Sequence, residues 1–67
     1  MGSTYKKIEV VGTSSTNLTD AIENAIAKAA ETVKNMRWFE VIETRGNITD
    51  GKVGQYQVTL KVGFRLE

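Results

Sequence analysis

From Tyr56 to Leu66 the chain alternates without a break, with Tyr56, Val58, Leu60, Val62, Phe64 and Leu66 on one parity and Gln57, Thr59, Lys61, Gly63 and Arg65 on the other. A period of two sustained this long specifies a β-strand with one apolar and one polar face. The strand is expected over 53–66, and Asp50-Gly51 just before it is a hairpin signal that makes it antiparallel to the segment upstream. That segment, Trp38 to Arg45, is rich in aromatic and β-branched residues and reads as another strand, with Gly46 marking a turn after it. Near the start, Tyr5 to Val11 alternates as well, with Lys6, Ile8 and Val10 pointing one way and Tyr5, Lys7, Glu9 and Val11 the other.

Between the first two strands the period changes. Leu18, Ala21, Ile22, Ala25, Ile26, Ala29, Val33 and Met36 follow the three-and-four spacing of one helical stripe, while Glu23, Asn24, Lys28, Glu31 and Lys34 form a wet opposite side. Gly12 to Asn17 supplies turn and capping residues, with Asn17 the first candidate N-cap and Ser15 or Thr16 the alternatives. Lys34 and Arg37 suit the negative helix terminus, so the helix is expected to stop around Asn35 to Arg37. The alanines of the stripe allow close approach to a sheet. The expected fold is therefore α+β in the order β-α-β-β, one three-stranded antiparallel sheet on one helix, with residues 1–67 forming a single unit.

One helix covers only one face of such a sheet, so the face of Gln57, Thr59 and Lys61 is left over and is where function is to be sought. A chain of 67 residues buries only about 60% of its unfolded surface. Small domains add disulfides, a metal or partner subunits, and this one has neither Cys nor His, which points to self-association. The same absences remove Cys nucleophiles, Ser-His triads and ordinary zinc sites. A net charge of +1 does not call for nucleic acid or an anionic membrane as partner. No apolar run serves as a secretion signal or membrane span, so a cytoplasmic location is expected.

By strand parity Trp38, Glu40 and Ile42 belong to the uncovered face if Phe39 and Val41 pack on the helix. The lone indole at Trp38 reads either as a residue closing the core or a subunit interface, or as a stacking platform for a flat, electron-poor heteroaromatic ring. Gln57 carries a primary amide able to pair with a C=O beside an N–H on such a ring. Arg45 and Arg65 are able to hold a phosphate, and so, less specifically, is Lys6. Glu40 and Glu43, three apart in a strand, are expected on opposite faces, which argues against a paired acid/base site. No catalytic constellation or metal site is legible, and a binding protein is expected in place of an enzyme. A single-stranded nucleic-acid module using the Trp38 face is the alternative.

The segments Tyr5 to Ser14, Trp38-Phe39-Glu40-Val41, Arg45-Gly46 and Tyr56 to Glu67 together resemble the dodecins, small flavin-binding proteins, over essentially the whole chain. The resemblance implies a hollow homododecamer that stores and buffers flavin (FMN, riboflavin or FAD). It implies that Trp38 stacks on the isoalloxazine and quenches its excited state, giving photoprotection, while Gln57 bonds the pyrimidine edge and Arg45 lies near the flavin. It also implies a possible coenzyme A or other phosphate contact at Arg65, with Lys6 as a second basic candidate.

Overall fold

The computed structural model describes residues 2–67 and contains four elements in the expected order: β1 (Tyr5–Ser14), α1 (Leu18–Ala29), β2 (Met36–Thr49) and β3 (Lys52–Arg65). Helix α1 begins where Asn17, in extended conformation, accepts a hydrogen bond at Oδ1 from the Asp20 backbone N–H at 2.7 Å. This satisfies one of the orphan donors of the first turn. Ser14, buried at the end of β1, secures the approach: its hydroxyl donates to Asp20 Oδ2 at 2.7 Å and accepts from the Thr16 N–H at 2.9 Å.

The three strands form one antiparallel sheet in the order β1-β3-β2, so the strongly alternating β3 is central. Its inward residues Val58, Leu60 and Val62 are buried against Ala21 and Ala25 of α1, with Ile8, Val10, Ile22, Ile26 and Met36 closing around them. The helix comes close because of small residues on both sides. A Cβ on Gly12 of β1 would overlap the Ala21 carbonyl oxygen and stand 2.7 Å from the Ala25 Cβ.

Three boundaries differ from the sequence expectation. The helix stops at Ala29, where i to i+3 bonds from Glu31 N–H to Lys28 O (3.2 Å) and from Thr32 N–H to Ala29 O (3.1 Å) tighten the chain. Asn35 then takes a left-handed φ of 63° and turns the chain into β2. Val33 and Met36 kept the helical spacing in the sequence because both stay beside the same apolar layer, Met36 from the strand and Val33 from the connection. β1 runs on through Gly12, Thr13 and Ser14, which pair with Val58, Gln57 and Tyr56. Finally, Gly46 is not a turn: it pairs with Tyr56 inside β2, where a Cβ would collide with the Gln55 carbonyl. The hairpin is at Asp50 and Gly51, whose φ values of 54° and 74° are the pair that a type I′ turn requires.

Beyond the Ser14–Tyr56 pair the β2–β3 ribbon continues without β1. This arm carries the opposed residues Ile48 and Val53, Ile48 being 80% exposed. The chain is correspondingly long, 54 × 20 × 13 Å, with a radius of gyration of 13.9 Å. A compact domain of this length would have about 11 Å.

Candidate functional site on the uncovered sheet face

The register fixes the rows of the face opposite the helix. Reading across β1, β3 and β2, they are Lys7, Gly63 and Trp38; Glu9, Lys61 and Glu40; Val11, Thr59 and Glu43; Thr13, Gln57 and Arg45. Trp38 thus lies on the uncovered face, as parity required, but the route there is irregular. Register shifts fall between Met36 and Trp38 and between Val41 and Glu43. The second leaves Ile42 unpaired and reverses the alternation, so that Glu43 shares the face of Glu40 instead of opposing it. Bulges of this kind re-aim side chains, and no sequence pattern in this segment announced it.

The indole of Trp38 lies over Gly63, where any Cβ would overlap its Cζ2 and Cε2 atoms. Its Nε1–H donates to Glu40 Oε1 at 3.2 Å, and the same oxygen accepts from Lys7 Nζ at 2.8 Å. Lys7 belongs to the far strand, so the ion pair reaches across β3 beside the residue that has no side chain. Tyr5 meets the indole edge-on, with centroids 5.4 Å apart and planes at 62°. Hydrogen bonding from Lys7, and secondarily from Trp38, holds the Glu40 carboxyl below the usual carboxylate range. This carboxylate is committed to Lys7 and the indole, so sharing a face with Glu43 does not make an acid/base pair. Trp38 keeps 40% of its surface exposed. Next to it, Ile26, Met36, Arg37, Phe39 and Val62 complete the lining of a cavity of about 250 Å³.

At the other end of the face Gln57 is directly opposite Arg45. The Gln57 amide donates one N–H to Gln55 Oε1 at 3.2 Å, which leaves its second N–H and its carbonyl oxygen for another partner. Gln57 is six positions along β3 from Gly63, where the indole sits, a distance of about 20 Å at the rise of an antiparallel strand. Trp38 and Gln57 of one chain therefore stand at opposite ends of the uncovered face.

The remaining basic candidates are also separated. Arg65 pairs with Tyr5 on the uncovered side and, with Asn35, Arg37 and Glu67, lines a cavity of about 310 Å³. Lys6 pairs with Phe64, on the helix-facing parity, so one chain does not bring Lys6 and Arg65 to a common phosphate. Among the described residues no cluster of three Asp, Glu, His or Cys is placed to hold a metal ion, and no helix is long and apolar enough to cross a membrane.

Comparison with known proteins gives this geometry a family. The dodecin family model matches residues 4–67. The chain belongs to the dodecin family. It is 54% identical over 67 residues to the dodecin of Thermus thermophilus, covering all of this chain and 97% of that one. It is 31% identical over 64 residues to the calcium dodecin of Mycobacterium tuberculosis, covering 96% and 90%. The crystal structure of the Thermus thermophilus tt0972 protein superposes with a TM-score of 0.95 at 53% identity, covering 98% of this chain and 97% of the other. The β-α-β-β subunit with its sheet on one helix is thus the dodecin subunit.

Proposed function

We propose that this chain assembles as a hollow homododecamer that binds flavins (FMN, riboflavin or FAD) without turnover, as a cytoplasmic store and buffer. Trp38 of one subunit provides the stacking surface, and Gln57 with Arg45 of another reads the ring edge. The observation that carries the reading is the indole of Trp38, open on the uncovered face and fastened over Gly63 by Glu40. A core tryptophan would have no such opening. Stacking on an aromatic side chain contributes about 1–3 kcal/mol per ring, enough to make the indole the dominant contact.

On this reading Trp38 and Gln57 are two half-sites, and the separation of about 20 Å between their places on the face supports assembly as a condition of binding. The chain's elongation and the apolar residues on its ribbon support it too. Around such a ring the chain's residues would do three things. The indole excludes water from one ring face and supplies an electron-rich donor that quenches a photo-excited flavin, which is the photoprotective part of the reading. The free N–H and carbonyl of Gln57 match adjacent acceptor and donor atoms on a pyrimidine edge. Arg45, opposite Gln57, supplies positive charge to that end of the ligand or to its phosphate. Coenzyme A contact at Arg65 stands as a secondary reading, supported by the cavity that Arg65 shares with Arg37.

The nucleic-acid reading gains nothing from the face, where Glu9, Glu40 and Glu43 are interleaved with the basic residues in place of a continuous positive groove. The test of the flavin reading is titration of riboflavin and FMN with the purified assembly, followed by flavin fluorescence, alongside its mass. Saturable quenching by a particle of about twelve chains is expected, and its loss in Trp38→Ala. Undiminished flavin fluorescence with the native protein would overturn the reading.

A further inference from the structure

The contacts around Trp38 are more elaborate than a stacking surface by itself requires. A lone exposed tryptophan on a sheet would sample several χ1 and χ2 settings. Here three separate features limit them. Gly63 removes the side chain that would otherwise occupy the indole's place. Glu40 Oε1 takes the Nε1–H bond at 3.2 Å, and Lys7, from the opposite edge strand, fixes that same oxygen at 2.8 Å. Tyr5 meets the ring at its edge. The contacts draw on all three strands, although Lys7 and Glu40 are half-exposed and, as a surface ion pair, would contribute little to stability.

We propose that Lys7 and Glu40 are positioning residues that hold the Trp38 indole over Gly63 in its ligand-ready orientation before any ring arrives. This rests on the reading of Trp38 as a stacking platform. Ordering a side chain during binding costs affinity, and fixing it in advance removes that cost, which for one rotamer-rich side chain corresponds to about two- to tenfold in Kd. The charge of Glu40 matters because a carboxylate acceptor makes a stronger bond to the indole N–H than an amide does. Lys7 matters because it fixes the carboxylate, which would otherwise turn toward Lys61, its neighbour in the next strand.

Trp38 is the single tryptophan, so the orientation is measurable without ligand. Time-resolved fluorescence anisotropy of the ligand-free assembly should show a tightly held indole in the native protein and a wide-angle wobble in both Glu40→Gln and Lys7→Met. Lys7→Arg should restore the restricted motion. The thermal midpoint should change little, because the pair is exposed. Riboflavin Kd should rise about two- to tenfold in the two loosened variants. The inference is overturned if the indole stays equally restricted in either variant, or if Lys7→Arg wobbles as freely as Lys7→Met. The anisotropy result stands apart from flavin: native protein that binds no riboflavin would defeat the flavin reading while leaving the positioning question decided by the indole motion.

Discussion

Gly12 and Gly63 both stand inside strands of the folded sheet, yet they serve its opposite faces. At Gly12 the missing side chain admits the backbone of α1, with Ala21 and Ala25 pressed against the strand. At Gly63 it admits the indole of Trp38, a side chain from the same sheet. The first gap is filled by the fold and the second by the site. The Ala21 carbonyl that faces Gly12 has nowhere to go without undocking the helix, whereas the indole, held only by side-chain contacts, has solvent to swing into if it is displaced. The same substitution should therefore cost folding at one position and function at the other.

The largest effect tests the first half of this contrast. Gly12→Val should prevent α1 from docking and leave a chain with no cooperative thermal transition; a stable, native-like circular dichroism spectrum would break the comparison. Next comes Leu60→Ala, which empties the centre of the core between the sheet and α1 and should destabilise by about 2–5 kcal/mol in chemical denaturation. Gly63→Ala belongs to the second half. It should keep the fold, expel the indole from its place, and weaken riboflavin binding toward the level of Trp38→Ala, a loss of roughly ten- to a hundredfold. A Gly63→Ala protein that fails to fold would show that both gaps are structural. Asn17→Ala, which touches neither gap, should cost about 1 kcal/mol through the lost helix cap and leave flavin binding unchanged.

The smallest effect is one of pH. The Glu40 carboxyl is held below its ordinary range by Lys7 and Trp38, with Lys61 adding to the positive surroundings. A group whose folded pKa is depressed adds stability above its unfolded pKa, and that contribution fades as pH falls through the folded value. Acidification below the usual carboxylate range should therefore release the indole without unfolding the chain, seen as increased Trp38 wobble at low pH. A Glu40→Gln protein should show no such pH response.

The strands and the helix were legible because their periods are clean: two in β3, three-and-four in α1. The hairpin was legible because Asp50-Gly51 has a backbone requirement that few dipeptides meet. The helix end was not, since Val33 and Met36 extend the apolar spacing past the point where the backbone leaves the helix. Gly12 and Gly46 looked like turns because glycine marks turns and close approaches alike, and only the neighbouring chain distinguishes them. In the candidate site, the side of the sheet occupied by Trp38 followed from parity, and so did that of Gln57. The face of Glu43 did not, because the extra residue at Ile42 breaks the alternation that parity depends on. Lys7 read as an ordinary surface charge, and Glu40 as a carboxylate on the uncovered face with no partner. Their link to the indole needs the cross-strand register, which no local pattern contains.

The claim on which the account rests is that a flavin ring is shared between subunits, stacked on Trp38 of one and edge-bonded by Gln57 of another. A crystal structure of the assembly grown with FMN tests it most directly. The account predicts an isoalloxazine against the exposed face of the Trp38 indole, with the amide of Gln57 from a different chain at its pyrimidine edge. A ring bound away from Trp38, or one held by Trp38 and Gln57 of the same chain, would contradict it.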